Sequence, residues 1–91
     1  MVKIMIVDDH AILREGLKVV LSRESDFRIV GEAADGSEAV KKAMKLHPDV
    51  IVMDIRMPYS GLQATMDITQ ALPDTKILML TVSETEADLV E

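Results

Sequence analysis

Residues 4–9 of this chain read Ile-Met-Ile-Val-Asp-Asp, and residues 50–54 read Val-Ile-Val-Met-Asp. Each stretch is a short apolar run that ends in acidic residues, a pattern typical of a buried β-strand followed by a polar loop. Functional sites of open α/β sheets lie beyond the carboxyl ends of the strands. If the two runs form neighbouring parallel strands, Asp8, Asp9 and Asp54 converge on one point.

Three converging carboxylates repel one another, and a bound cation is one way to hold them together. Carboxylate oxygens are hard ligands, which predicts Mg²⁺ rather than zinc. Each residue also has an ordinary explanation, because Asp8 and Asp9 could cap the next helix and Asp54 could be a turn residue. The combined spacing favours the metal site. His10 is interpreted as a solvated or capping side chain, since no second His lies at ligand spacing.

The composition limits the possible classes of protein. The chain has 91 residues, of which 48% are apolar, and this allows one small domain. Its apolar residues are mostly aliphatic, with seven Met, one Tyr and one Phe, which suits a parallel sheet covered by helices. The absence of Cys excludes thiolate catalysis and Cys-zinc sites, and the net charge of −6 argues against nucleic-acid binding by this segment.

The lengths of the apolar runs bear on whether the protein enters a membrane or is secreted. None of them approaches the length of a membrane span. The N-terminus consists of Met1, Val2 and Lys3 followed by only four apolar residues, which is too short for a signal peptide. We therefore expect a cytoplasmic protein that does not contact the membrane.

Strand and helix patterns alternate along the chain. Strands are predicted over residues 3–7, 27–33, 50–53 and 76–80. Helices are predicted over residues 11–23, from Asp35 to Leu46, over residues 62–72, and from Ser83 onward. This alternation predicts an α/β domain with a parallel sheet and right-handed crossovers. The first helix has an apolar stripe made of Leu13, Leu17, Val20 and Leu21.

The predicted helix ends rest on local chemistry. Asp35 with Glu38, and Ser83 with Glu86, have the spacing of a capping box at a helix start. The last helix reaches Glu91 with no Gly, Asn or Pro to end it. We therefore expect residues 1–91 to be one domain that is truncated at its C-terminal end.

Several motifs in this order resemble a known family. They are Ile-Met-Ile-Val-Asp-Asp-His (4–10), Arg-Glu-Gly-Leu (14–17), Val-Gly-Glu-Ala (30–33) with Asp-Gly (35–36), Pro-Asp-Val (48–50) before Asp54, Met-Pro (57–58), and Leu-Met-Leu-Thr (78–81). Together they resemble the receiver domain of two-component response regulators. The first and third motifs resemble the NarL/FixJ type, whose members carry a LuxR-type helix-turn-helix after the receiver.

The resemblance implies a doubly wound, flavodoxin-like fold with strand order 2-1-3-4 and with the fifth strand and last helix missing. It also implies roles for individual residues. Asp54 would be the phosphoacceptor and a Mg²⁺ ligand, Asp9 would bind Mg²⁺ directly, and Asp8 would bind it more through water. The backbone carbonyl of Arg56 would be a further metal ligand, and Thr81 would be the switch hydroxyl that contacts the phosphoryl group.

A receiver domain is a signalling module rather than a turnover enzyme. The resemblance implies a sensor histidine kinase as phosphodonor and an output, such as transcription, in a longer protein. We also expect a homodimer or higher oligomer, because the fourth strand would leave an apolar edge unpaired. Two alternatives remain: a Mg²⁺-dependent phosphatase with an Asp nucleophile, and an interaction fragment that is not phosphorylated, since the family's Lys on the fifth strand would lie beyond Glu91.

Overall fold

The computed structural model describes residues 1–54 and 60–80. Its strands are β1 (Val2–Val7), β2 (Phe27–Ala33), β3 (Val50–Asp54) and β4 (Lys76–Leu80). Its helices are α1 (Ala11–Ser22), α2 (Gly36–Leu46) and α3 (Ser60–Ala71). The predicted elements are confirmed with ends that differ by at most two residues, while the helix predicted from Ser83 lies outside the described residues.

The four strands form one parallel sheet in the order β2-β1-β3-β4, as predicted. β1 therefore lies between β2 and β3, and its last residue, Val7, pairs with Ala33 on one side and Met53 on the other. This register aligns the carboxyl ends of β1 and β3. The residues that follow Val7 and Met53 consequently leave the sheet at the same place.

Each face of the sheet has its own apolar cluster. On one face, residues of β1 and β3 such as Met5 and Ile51 pack with Ala39 of α2 and Ile68 of α3. On the other face, Ile4, Ile6 and Val52 pack with partly buried residues that include Leu17 and Leu21 of α1. The sheet is thus the middle layer of three, which is the arrangement expected of an α/β domain.

The predicted apolar stripe of α1 is correct only in part. Leu17 and Leu21 pack on the sheet, but Val20 is 55% exposed. Leu17 and Leu21 are four positions apart and so lie above one another on the helix. Val20 is rotated toward the edge of that line, and this position leaves much of its side chain in solvent.

The predicted capping box of α2 is present with one difference. The backbone N–H of Glu38 donates to Asp35 Oδ1 at 2.8 Å, as a capping box requires. The Glu38 carboxylate, however, accepts from the N–H of Ala34 at 2.7 Å rather than from the N–H of the N-cap residue. The start of α2 is therefore fixed by two reciprocal hydrogen bonds.

Across the described ranges, no helix has the length and apolar character needed to cross a membrane.

Candidate metal centre

Four side chains meet at the carboxyl ends of β1 and β3. Asp8, Asp9 and His10 follow β1, and Asp54 is the last residue of β3. One ligand atom from each of the four lies within 4.8 Å of the corresponding atom of every other. The predicted convergence of the three carboxylates is therefore present, and it results from the pairing of β1 with β3.

The carboxylates differ in their exposure to solvent. Asp8 is 1% exposed and Asp54 is 4% exposed, whereas the side chain of Asp9 is 45% exposed. Burying a charged carboxylate is costly unless the charge is paired or coordinated. A pair of buried Asp residues beside a third one indicates that the site is built to receive positive charge.

Asp8 has one satisfied and one unsatisfied carboxylate oxygen. Its Oδ1 atom accepts from the backbone N–H of His10 at 2.7 Å and lies 3.1 Å from His10 Nδ1. Its Oδ2 atom is buried and has no hydrogen-bond partner within the described part of the chain. A buried oxygen without a partner, on a residue whose carboxylate lies close to two others, fits a hard cation with oxygen ligands, such as Mg²⁺.

His10 contributes to the site in a way that the sequence interpretation missed. Its ring is 69% exposed, as expected for a solvated side chain, and it occupies the N-cap position of α1 without a side-chain capping bond among the described residues. Its Nδ1 atom instead lies 3.1 Å from Asp8 Oδ1 and 2.9 Å from Asp9 Oδ1. An ionised carboxylate only accepts hydrogen bonds, so Nδ1 would be the donor to these two oxygens in the tautomer that carries its hydrogen there.

A network of charged side chains lies beside the acidic cluster. Arg14 of α1 donates from Nη1 to the backbone carbonyl of Asp8 and from Nε to Glu32 of β2. Lys18 donates to the other Glu32 oxygen at 2.7 Å and contacts Glu15 at 2.7 Å. The ammonium of Lys18, together with the guanidinium of Arg14, lowers the pKa of Glu32 below its ordinary value. Glu15 and Glu32 in turn raise the pKa of Lys18.

Sequence reasoning assigned no role to Arg14 or Glu32, although both lie in the motifs that carried the family resemblance. Their hydrogen bonds join residues 18 positions apart. Only the packing of α1 beside β2 brings them together. Two predicted site residues, Thr81 and Arg56, lie outside the described residues, and their roles stay predictions.

Comparisons with family models, curated proteins and solved structures agree on one family. The family model described as the response regulator receiver domain matches residues 4–91. Over 86 residues the chain is 49% identical to the oxygen regulatory protein NreC of Staphylococcus carnosus, a match that covers 92% of this chain and 40% of that protein. Over 87 residues it is 44% identical to the transcriptional regulatory protein DegU of Brevibacillus brevis, covering 94% of this chain and 37% of the relative.

A solved structure supports the same family. The chain is similar to a two-component response regulator of the LuxR family from Aurantimonas sp. SI85-9A1, with a TM-score of 0.84 and 36% sequence identity. This match covers 99% of the present chain and 65% of that one. The chain thus spans about two fifths of the length of the two curated relatives and about two thirds of this solved chain.

Proposed function

The chain belongs to the response regulator receiver domain family, and on that premise we propose that it accepts a phosphoryl group on Asp54 in a reaction that requires Mg²⁺. The module would act as a signalling switch rather than a turnover enzyme. The observation that carries the proposal is the meeting of Asp54 with Asp8 and Asp9 within 4.8 Å, with the buried Asp8 Oδ2 lacking a hydrogen-bond partner among the described residues.

The residues fit a magnesium site by their chemistry. All three candidate side-chain ligands are carboxylates, and Mg²⁺ is bound in proteins by few carboxylates together with several waters. We propose that Asp9 binds the ion directly, that Asp8 acts more through water, and that Asp54 is the third ligand. The exposed Asp9 is at the solvent side of the cluster, where water can complete the coordination. The backbone carbonyl of Arg56 is proposed as a further ligand from the family resemblance.

The proposed reaction is a phosphoryl transfer to a carboxylate. An oxygen of Asp54 attacks the phosphorus of the donor, a new P–O bond forms, and the bond from phosphorus to the leaving group breaks with its electron pair going to that group. With acetyl phosphate the leaving group is acetate. Bound Mg²⁺ would offset the negative charge of Asp54 and of the phosphoryl oxygens. Thr81 is proposed to hydrogen-bond a phosphoryl oxygen, which would couple the modification to its surroundings.

The role of the longer protein is a proposal as well. Because the chain spans about two fifths of its curated relatives, one of which is named a transcriptional regulatory protein, we propose that the phosphorylated domain controls transcription. The phosphodonor would be a sensor histidine kinase and the location the cytoplasm. Residues 1–91 would be the receiver part of that protein, and binding to DNA would require a segment other than this acidic one.

We also propose that this chain self-associates through β4. In the described part of the chain, β4 pairs only with β3 and forms one edge of the sheet. Leu78 is 55% exposed and Met79 is 37% exposed on this strand. An unpaired apolar edge is a template for pairing with another chain, and a two-fold axis would join two such edges antiparallel.

The assignment of Asp54 can be tested with a small phosphodonor. Wild-type protein incubated with acetyl phosphate and Mg²⁺ should gain the mass of one phosphoryl group, and hydroxylamine should remove it because the bond is an acyl phosphate. Asp54→Asn should gain nothing. Asp74→Asn, which changes an exposed Asp in the turn before β4, should label like the wild type. Labelling of Asp54→Asn at the wild-type level would refute the assignment.

The metal assignment needs its own measurement. Calorimetric titration with Mg²⁺ should give measurable binding to the wild type and much weaker binding to Asp9→Ala, with Asp8→Ala less affected. Equal affinities in wild type and Asp9→Ala would refute the ligand assignment. Steady hydrolysis of a generic phosphate ester by the wild type would instead favour a phosphatase.

A further inference from the structure

Arg14 connects the acidic cluster to the neighbouring edge strand. Its side chain is only 19% exposed and makes two directed contacts. Nη1 donates to the backbone carbonyl of Asp8 at 2.5 Å, and Nε donates to Glu32 Oε1 at 3.0 Å. A guanidinium holds its donors in a fixed plane, so two contacts made at once define the position of the group.

The backbone of Asp8 is held on both sides by these contacts. Its N–H donates to the carbonyl of Ala33 in β2 at 3.0 Å, and its own carbonyl accepts from Arg14. That carbonyl belongs to the peptide group that joins Asp8 to Asp9. Because the peptide group is planar, fixing its carbonyl also fixes the direction in which the chain enters Asp9. The direction of the Asp9 side chain depends on the same plane.

Glu32 is itself anchored, so that it can act as a fixed support for Arg14. Its second carboxylate oxygen accepts from Lys18 at 2.7 Å, and its backbone carbonyl accepts from Lys42 at 2.6 Å. The side chain is only about one-third exposed. Charge-assisted hydrogen bonds of this kind are stronger than neutral ones and restrict the carboxylate to one orientation.

We propose that Arg14 is a positioning residue for the divalent-cation site. By linking the Asp8–Asp9 peptide to the Glu32 carboxylate, it fixes the direction of the cation's ligands. Arg14 touches neither the cation nor the phosphoryl group in this proposal. It determines whether Asp9 presents its carboxylate toward Asp8 and Asp54. The inference rests on the proposed function, because it takes Mg²⁺ as the ligand of the cluster.

Geometry and simple electrostatics predict opposite results for the removal of this charge. A positive guanidinium near the site repels a cation, so its removal should raise Mg²⁺ affinity if Coulomb repulsion were its main effect. If Arg14 positions the ligands, its removal should lower the affinity instead. Residues that orient metal ligands typically change affinity by about tenfold to a hundredfold when mutated. The sign of the change therefore separates the two explanations.

Charge-conserving variants make the test sharper. Arg14→Lys keeps the positive charge but loses the planar pair of donors. Glu32→Asp keeps the negative charge but moves the carboxylate one methylene closer to the backbone, away from Arg14. Both should weaken Mg²⁺ binding by about tenfold or more in calorimetric titration. Arg14→Gln should weaken it as well. Lys41→Gln is the matched control, because it removes a positive charge from an exposed residue of α2 that takes no part in the contacts of Arg14 and Glu32 described above, and it should leave the affinity within about twofold of the wild type.

A second measurement distinguishes positioning from general damage to the fold. In Arg14→Lys and Glu32→Asp, the rate of labelling by acetyl phosphate should need more Mg²⁺ to reach half its maximum, while the rate at saturating Mg²⁺ stays close to that of the wild type. Far-UV circular dichroism checks that each variant is folded. If one of the two variants is unfolded, the other decides.

The possible outcomes are distinct. Unchanged Mg²⁺ affinity in a folded Arg14→Lys or Glu32→Asp, or tighter binding in Arg14→Gln, would overturn the positioning role. Failure of the proposed function looks different, because the wild type would then bind no Mg²⁺ or would be labelled at a residue other than Asp54. Weaker binding in both charge-conserving variants, with Lys41→Gln unaffected, would support the inference.

Discussion

Leu46, the last residue of α2, lies against Gly31 of β2 so closely that a β-carbon on Gly31 would be 2.7 Å from Leu46 Cδ1. No real side chain makes a contact this short, so any substitution of Gly31 must move Leu46. Leu46 packs against the buried cluster beneath α2, which limits where it can go. Gly31 thus allows the end of α2 to lie close to the sheet, and a β-carbon at this position would displace the end of the Leu46 side chain.

Displacing the Leu46 side chain costs about 1–3 kcal/mol, at the lower end when the side chain can partly yield, and alanine in place of glycine within a strand returns about 0.5–1 kcal/mol. We therefore expect Gly31→Ala to lower the free energy of unfolding by up to about 1 kcal/mol. Gly16→Ala is the matched control, because a β-carbon at Gly16 has no atom within 4 Å and the residue lies in a helix. That variant should gain about 0.5–1 kcal/mol. Urea unfolding measures both. Equal effects of the two substitutions would contradict the contact with Leu46.

His47, the C-cap residue that follows α2, has a left-handed backbone conformation with φ of 48°. Its N–H donates to the carbonyl of Ala43 at 2.9 Å, which closes the last turn of the helix. A left-handed residue with a β-carbon costs about 1–2 kcal/mol, and glycine avoids most of that cost.

His47→Gly should therefore raise the free energy of unfolding by about 0.5 kcal/mol, since the extra freedom of glycine in the unfolded chain offsets part of the gain. His47→Ala keeps a β-carbon in the same conformation and should give no such gain. A destabilised His47→Gly in urea unfolding would mean that the imidazole contributes more than its backbone conformation suggests.

The stability of the domain should fall in acid partly through Glu38. The N–H of Ala34, and after it the ammonium of Lys42, stabilise the Glu38 carboxylate and lower its pKa below the ordinary value of 4.5. A lowered pKa in the folded state stabilises the protein at pH values above 4.5. This stabilisation is lost as the pH falls through the lowered pKa, because the folded protein must then take up the proton.

Glu38→Gln should be less stable than the wild type at neutral pH and should lose less stability on acidification to about pH 3. Urea midpoints at the two pH values measure the effect. Glu24→Gln, which changes an exposed side chain in the loop after α1, should keep the acid dependence of the wild type. An identical acid dependence in Glu38→Gln and wild type would remove Glu38 from this explanation.

Local patterns predict the strands and helices, whereas the order of the strands, and with it the meeting of the carboxylates, is implied by the resemblance to the receiver family. The apolar runs define β1 and β3, and parallel pairing places Asp8 and Asp54 at one edge. The contacts of Arg14 with Glu32 and of His10 with the carboxylates could not be predicted in this way. They depend on how α1 lies on the sheet and on the rotamers this packing allows, and neither leaves a periodic signal in the sequence. The exposure of Val20 has the same origin.

The last prediction concerns self-association through the β4 edge. Leu78 is 55% exposed on this strand, and Leu62, which belongs to α3 and not to the edge strand, is 68% exposed. A lysine on an edge strand opposes pairing with a second strand because it would bury charge at the new interface. Because the β4 edge is apolar and pairs with no further strand among the described residues, the wild-type chain should be at least a dimer at micromolar concentration by light scattering. Leu78→Lys should shift it toward the monomer, while Leu62→Lys should not. A wild-type monomer would refute edge pairing, and a dimer that persists equally in both variants would place the interface on another surface.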